Sequence, residues 1–260
     1  MALVGPIFLT MHLMTSPTAL QSQHASHLDN LFIEHSELVA LPLSMITGFI
    51  VPTVLMCLPT PAYWTVQQKA WLVRLWQPFP VLFYISQRTW AAILRSVETA
   101  QTIAQNEQPG STHRAAMRRA YAFGLACAAF THIGSWTISL SAYLLPSIFS
   151  EQHVSSLQPM QVFIPPSPFS NIQAASVGQG SHWFLQWDHI IMSWTYLVWA
   201  YNLNRVQRQR SGTTNDVLYG MLRVLAISGV VGPAGAALLL MWERDELVYS
   251  KAVTSTSKMK

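Results

Sequence analysis

The chain alternates between long apolar stretches and shorter polar connections. A helix that crosses the hydrocarbon layer of a bilayer needs about 20 consecutive residues, most of them apolar. Five long apolar stretches are 38–58, 71–94, 121–149, 182–201 and 217–242. A sixth, 2–14, is shorter. This pattern predicts an all-α fold, a polytopic transmembrane helical bundle with about six spans, within a range of roughly five to seven.

The composition favours the same fold class. Of the 260 residues, 51% are hydrophobic and only 10% are charged, whereas soluble domains carry about 25% charged residues. We therefore expect one membrane-embedded helical domain over residues 1–260, with the lipid bilayer around it. The net charge of +4 comes from basic residues clustered in connections, which indicates membrane topology and no nucleic-acid partner.

The distribution of basic residues predicts an orientation in the membrane. Cytosolic connections are enriched in Lys and Arg, and this describes residues 95–119 and 205–216, whereas 150–181 contains neither. We therefore expect 150–181 to be lumenal, in an integral membrane protein of the endoplasmic reticulum. Its prolines and aromatic residues leave two interpretations open, a lid or binding loop and an ordered cap without chemistry.

One carboxylate interrupts the apolar stretch 182–201. An acidic residue at membrane depth costs roughly 2.5–3.5 kcal/mol on insertion scales, so Asp188 calls for a partner or a chemical role. On a helical wheel it shares one face with a set of candidate substrate-binding residues, which are Phe184, Met192, Thr195 and Trp199. This face is predicted to point inward, and the opposite face to point to lipid; that opposite face carries Trp183, Ile190, Trp194, Leu197 and Tyr201.

A structural role is the alternative for this face. Asp188 is then a buried carboxylate paired with an arginine, either Arg88 or Arg223, and Trp199 is a packing residue. In the functional interpretation Asp188 is a proton donor among electron-rich rings, an arrangement suited to carbocation chemistry.

Two further groups of residues are candidates for the same site. His132 shares a helix face with Trp136 and Tyr143 in the stretch 121–149, either as a packed core histidine or as part of a cavity wall that stabilises a cation. Glu37 lies directly before the stretch 38–58, one turn after Glu34. Glu34 suits a solvated helix start, where acids are favoured, whereas Glu37 is the candidate second carboxylate, which sets the pKa of Asp188.

Several common motifs are absent from the sequence. There is no DDxxD-like acidic cluster to hold magnesium and a diphosphate, and no HExxH, GxSxG or Walker motif. The sequence therefore predicts chemistry with no metal site and no cofactor.

Two segments of the chain resemble a known family. The run from Gly178 to Asp188, GQGSHWFLQWD, preceded by VFIPP at 162–166, resembles the small integral-membrane terpene cyclases of fungal meroterpenoid pathways, such as those of ascochlorin, ascofuranone and macrophorin. Weaker similarity covers 34–54 and 241–247. The resemblance implies a protonation-initiated cyclisation of a farnesyl-type chain, with a terminal epoxide or an alkene, on an aromatic or cyclohexenone head.

The resemblance also implies roles for the candidate residues. Asp188 is expected to be the acid or to be hydrogen-bonded to it, with Glu37 as the second carboxylate. Trp199, Trp136 and Tyr143 are expected to face the cation, and His132 or a water to take the final proton. The expected partners are the prenylated substrate and, by contact, an upstream prenyltransferase and epoxidase.

Two other functions fit the same sequence. A sterol-isomerase-like enzyme would move a double bond through a similar carbocation. A transporter or lipid-binding protein without catalytic activity would instead pair Asp188 with an arginine.

Overall fold

All regular structure in the described residues is helical. The computed structural model describes residues 2–16, 19, 33–102, 109–212 and 217–258. Its α-helices, in chain order from α1 to α10, are Val4–Thr15, His35–Met45, Val51–Cys57, Val66–Trp76, Phe79–Thr102, Pro109–Leu144, Glu151–Val154, Pro159–Phe163, Val177–Arg210 and Val217–Lys258. A π-helical turn, Ile46–Ile50, joins α2 to α3, and a 3₁₀ turn, Pro146–Ile148, follows α6. The predicted all-α fold class is confirmed.

Three segments in the described part of the chain are long and apolar enough to cross a membrane. They are His35–Cys57, Thr112–Leu144 and Val217–Ser250, and the shorter apolar helix α1 accompanies them. Many large apolar side chains on these segments are exposed, among them Phe130 and Val230. Because exposed apolar patches of this kind need a nonaqueous surrounding, the finding fits a helical membrane protein.

Several boundaries differ from the predicted ones. The stretch 71–94 is divided between α4, which ends at Trp76, and α5, which begins at Phe79. Pro78 lies between them and has no N–H for a continuous helix. The predicted cytosolic connection 95–119 is largely helical, because α5 and α6 extend into it. Residues 103–108 and 213–216 of the two cytosolic connections lie outside the described residues.

The chain divides into two compact units. The first comprises Met1–Asn30 and Leu125–Lys260, and the second comprises Leu31–Gly124, so that the division falls within α6. A single domain over 1–260 remains a prediction.

The second unit is built on close packing of α2 and the π-helical turn against α5. A Cβ on Gly48 would lie 2.8 Å from the Phe83 Cα, so only glycine allows this approach. A polar contact accompanies it, since Thr47 Oγ1 lies 2.6 Å from Ser86 Oγ and accepts a hydrogen bond from the Trp90 indole. In a membrane, small residues and interhelical hydrogen bonds of this kind hold helices together.

In the first unit, α10 is not one straight helix. Gly232 has φ 79° and ψ 162°, which interrupts the helix just before Pro233. Arg223 and Glu243 are 20 positions apart, a distance of about 30 Å in a straight helix, yet Arg223 Nη1 donates to Glu243 Oε2 at 3.1 Å. The two arms of α10, 217–231 and 233–258, therefore fold back beside each other.

Both arms pack against α9. The core of the first unit is formed by Leu197 and Ala200 of α9 with residues from both arms, namely Val224, Ala236, Ala237 and Leu240. Leu197 is only 3% exposed, and Tyr201 packs against the same cluster. The prediction that this face of α9 points to lipid is wrong at these two positions, because the folded-back arms of α10 cover it.

We predict that Gly232→Ala destabilises the protein. At this φ and ψ a side chain is strained by about 1–3 kcal/mol, and the added Cβ would lie 3.0 Å from His132 Nδ1. Thermal unfolding of the detergent-solubilised protein measures the effect. Gly134→Ala in α6 is the control, because its Cβ would meet no atom within 4 Å and alanine favours a helix by about 0.5–1 kcal/mol. If the Gly232→Ala protein unfolded at the same temperature as the wild type or at a higher one, the reversal of chain direction at Gly232 would be contradicted.

Candidate functional site

Asp188 lies half-buried on α9 and holds the start of α1. Its Oδ1 accepts a hydrogen bond from the backbone N–H of Ala2 at 2.7 Å. Ala2 directly precedes Leu3, the N-cap of α1. The carboxylate therefore lies at the N-terminal end of this helix, where the positive end of the helix dipole favours a negative charge.

The contacts between α1 and α9 continue in register along both helices. Gly5 packs directly against Met192, and any Cβ at position 5 would overlap the Met192 thioether. Further along, Trp199 Nε1 donates to His12 Nδ1 at 3.2 Å, and the two rings meet edge to face with centroids 5.6 Å apart. The residue of α9 lies 186 positions after its partner in the first hydrogen-bonded pair and 187 positions after it in the second. Residue numbers thus increase in the same direction along both helices. The helices are therefore parallel.

The face predicted to point inward is thus the face that α1 covers. Asp188, Met192 and Trp199 all contact α1. Thr195 lies between them and donates its hydroxyl to Ile191 O of its own helix at 2.6 Å. Phe184 is 67% exposed and lies near the start of this face. The structure therefore places three of the five candidate residues of α9 at the interface with α1, and it shows no contact to α1 for Thr195 or Phe184 among the described residues.

The arginines considered as partners of Asp188 bind other carboxylates. In the second unit, Arg88 Nη1 donates to Glu37 Oε1 at 2.6 Å. In the first unit, Arg223 donates to both oxygens of Glu243. The contacts described for these two arginines are therefore with Glu37 and Glu243, and the structural alternative for Asp188 stays a prediction.

Glu37 belongs to a polar network at the start of α2. Gln87 Nε2 donates to its Oε2 at 2.9 Å and to its backbone carbonyl at 2.8 Å. Arg95 forms a bidentate pair with Glu34, at 2.7 and 2.6 Å. Hydrogen bonding from Arg95 is the main cause that lowers the pKa of Glu34. Cooperation of Glu37 with Asp188 remains a prediction.

The predicted stripe on α6 is engaged at two of its positions by other elements of the first unit. His132 Nε2 lies 3.4 Å from the carbonyl oxygen of Gly229, beside the break in α10. Trp136 stacks on Phe163 of α8, with ring centroids 4.1 Å apart. Tyr143 is 64% exposed. One face of the Trp136 ring is therefore already covered by an aromatic partner.

The connection 150–181 is fastened to α9 and α6. Gln186 Nε2 donates to the carbonyls of Gln161 and Val162, both at 2.7 Å. The Trp187 indole donates to the Pro166 carbonyl at 3.0 Å, and the buried Ser139 hydroxyl to Leu157 O at 2.8 Å. These contacts favour the interpretation of an ordered cap.

The sequence interpretation did not assign roles to several of these residues. They are Ala2, Gly5, His12, Gln186 and Trp187. His12 is the one ionisable side chain in the apolar stretch 2–14, which could have marked it. The roles of Ala2 and Gly5 depend on a backbone N–H and on a missing side chain, and neither leaves a signal in the residue pattern.

Comparison with known proteins identifies the family. A family model described as the CtvD domain matches residues 1–249. The chain belongs to the CtvD domain family. The expected resemblance to fungal terpene cyclases is confirmed by individual relatives as well as by this match. No solved structure matches the chain.

The relatives that this chain matches are longer than it is. Terpene cyclase ascI of Acremonium egyptiacum is 31% identical over 254 residues, covering 96% of this chain and 60% of the relative. Terpene cyclase ctvD of Aspergillus terreus is 31% identical over 206 residues, with 79% and 53% covered. Terpene cyclase penA of Penicillium crustosum is 30% identical over 203 residues, with 78% and 52% covered. The chain thus spans between half and two thirds of these relatives' length.

We predict that paired cysteines will report the parallel register of α1 and α9. In a background with Cys57 and Cys127 changed to serine, Gly5→Cys with Met192→Cys should form an intramolecular disulfide on mild oxidation. Peptide mapping by mass spectrometry measures it. Gly5→Cys with Trp199→Cys is the control, because Trp199 lies about 10 Å further along α9. Preferential cross-linking of the control pair would contradict the register.

Proposed function

We propose that this CtvD-family chain is a membrane-bound terpene cyclase that works by metal-free, acid-initiated carbocation chemistry. The substrate would be a farnesyl-type chain with a terminal epoxide or alkene, attached to an aromatic or cyclohexenone head. The observation that best supports this proposal is the carboxylate of Asp188, which is half-buried on a tryptophan-rich helix and hydrogen-bonded to a backbone N–H. The names of the relatives, all terpene cyclases, support the reaction class.

The proposed reaction begins with proton transfer from the protonated Asp188. The proton goes to the epoxide oxygen, whose C–O bond breaks, or to an alkene carbon; either leaves a carbocation on the terpene chain. Neighbouring alkenes attack this cation and close the rings, and loss of a proton to a base ends the sequence. The Ala2 N–H then stabilises the carboxylate that the first transfer leaves behind.

The other candidate residues take supporting roles in this proposal. Trp199 lies eleven positions after Asp188, about 16 Å along α9. Its ring would stabilise a cation that develops on the terpene chain at a distance from the protonated end. Its indole N–H donates a hydrogen bond to His12. This bond fixes the plane of the indole ring. Trp136 and Tyr143 would line the same path, Glu37 would act as the second carboxylate, and His132 or a water would accept the last proton.

The cellular setting follows the same reasoning. A prenylated substrate partitions into the bilayer, and the three apolar segments suit a protein embedded there. We propose residence in the endoplasmic reticulum, in contact with the prenyltransferase and the epoxidase that would supply the substrate.

We predict that Asp188→Asn abolishes cyclisation. General acid catalysis contributes about 10²–10⁴-fold, so product formation should fall by at least about 100-fold. Asparagine can still accept the Ala2 hydrogen bond through its side-chain oxygen, so the fold should persist. The assay is yeast expression with a prenylated phenol, with and without its terminal epoxide, followed by product analysis.

The matched control for this variant is Glu151→Gln. Glu151 is an exposed acid on the short helix α7, and its replacement also removes one charge with little change in shape. It should leave activity unchanged. Near-normal turnover by the Asp188→Asn protein would remove Asp188 from the mechanism.

We predict that Trp199→Phe retains more activity than Trp199→Leu. Both variants lose the hydrogen bond to His12, but only phenylalanine keeps an aromatic face, which is worth about 0.5–2 kcal/mol to a nearby cation. Trp199→Leu should therefore give slower turnover and partly cyclised products, detected by mass spectrometry. If both variants made one wild-type product at equal rates, Trp199 would be a packing residue.

A further inference from the structure

The indole of Trp199 makes a polar contact with the helix that packs on this face of α9. Its Nε1 donates a hydrogen bond to His12 Nδ1 of α1 at 3.2 Å. An indole N–H can only donate, so His12 Nδ1 is the acceptor and carries no proton. The His12 ring is therefore neutral in this arrangement, with its proton on Nε2.

The hydrogen bond reaches the edge of the indole and not its face. The N–H bond lies in the plane of the indole, and the two ring planes meet at 66° with their centroids 5.6 Å apart. Trp136 differs, because Phe163 is stacked on one face of its ring at an interplanar angle of 20°. A cation is stabilised over the face of an aromatic ring. His12 thus holds Trp199 in a way that does not itself cover such a face.

The position of His12 is fixed by the packing of α1 on α9. Gly5 lies against Met192, about two turns of α1 before His12. At the start of α1 the Ala2 N–H is bonded to Asp188. Contacts at three levels therefore hold α1 in one register along α9, and the acceptor nitrogen lies at a defined place beside the indole.

The orientation of the Trp199 ring depends on two restraints of different kinds. The torsion that turns an indole about its Cβ–Cγ bond has only a broad preference of its own. Trp199 is partly buried and packs against the apolar core formed by α9 and α10, which restrains the ring by shape. The hydrogen bond adds a direction, because it requires the N–H edge of the ring to point at His12.

We propose that His12 is a positioning residue that determines how far cyclisation proceeds. This inference rests on the cyclase function proposed above and concerns the later cation, which the face of Trp199 would stabilise. When the ring is held, the cation persists until a further alkene attacks it and closes the next ring. When the ring turns away, the cation loses a proton from a neighbouring carbon to a base, a C=C bond forms there, and a partly cyclised product is released.

Two substitutions separate the acceptor of His12 from its ring. His12→Asn places the side-chain oxygen where Nδ1 lies, since both atoms are bonded to Cγ, and so keeps an acceptor for the indole N–H. His12→Phe keeps an aromatic ring and removes the acceptor. One hydrogen bond changes an equilibrium roughly 2- to 10-fold. We expect His12→Phe to raise the ratio of partly to fully cyclised product by about this factor, and His12→Asn to leave it close to the wild-type ratio.

The assay uses the full chain expressed in yeast with the prenylated phenol and its epoxide. Liquid chromatography with mass spectrometry separates the isomeric products. His153→Phe is the matched control, because His153 is exposed on α7, and it should leave the ratio unchanged. The Trp199→Phe protein lacks the indole N–H, so the addition of His12→Phe to it should change the ratio no further. If the His12→Phe protein does not accumulate, His12→Leu, which also lacks an acceptor, replaces it in both backgrounds.

A spectroscopic measurement tests the contact without any substrate. In ¹⁵N-labelled protein in detergent, the chain's ten tryptophans each give an indole N–H signal, and the signal that the Trp199→Phe spectrum lacks belongs to Trp199. A hydrogen-bond acceptor moves such a proton signal downfield. We therefore expect the Trp199 signal to move upfield in His12→Phe and to stay near its wild-type position in His12→Asn.

The outcomes separate this inference from the proposed function. The role of His12 is overturned, while the cyclase activity stands, if His12→Phe leaves the product ratio or the indole signal unchanged. It is also overturned if His12→Asn raises the ratio equally, or if His12→Phe changes the ratio further in the Trp199→Phe background. If the wild-type chain forms no cyclised product, the proposed function fails and this role fails with it, even where the indole signal responds as expected.

Discussion

The arrangement of the first unit depends on a requirement that holds for any polar group in apolar surroundings, which is that the protein must supply its hydrogen bonds. Asp188 meets that requirement through the backbone N–H of Ala2. The same contact ties the N-terminal end of α1 to α9. The packing of Gly5 on Met192 and the hydrogen bond from Trp199 to His12 continue the contact along both helices.

Helix α9 is the element around which the first unit is organised, because each of its faces has a different partner. Asp188 and Trp199 lie against α1. Gln186 and Trp187 fasten the connection that precedes the helix. Leu197 lies in the core with both arms of α10. A carboxylate on such a packed helix keeps a defined position, which is what the proposed role of Asp188 as a proton donor would require.

The reversal of α10 makes this packing possible. A straight helix could cover α9 along one line only, whereas the break at Gly232 lets two arms cover it side by side. The imidazole of His132 lies against the same break. The reversal also brings Glu243 to Arg223, so the polar residues beyond the core are gathered at one end of the unit.

The sequence alone determined the features that depend on composition and on periodicity along the chain. These are the helical membrane fold, the family resemblance carried by 178–188, and the position of Asp188 as the one acidic residue of the stretch 182–201.

Only the tertiary structure decided what each helix face contacts. A helical wheel shows that Leu197 lies opposite Asp188, but it cannot say whether lipid or protein covers it, because both surroundings favour apolar side chains. Partners such as the Ala2 N–H and the Gly229 carbonyl belong to the backbone, which every residue has, so no residue type marks them. The pairing of Arg88 with Glu37 likewise depends on the packing of α2 and α5, where residues distant in the chain are brought within 2.6 Å.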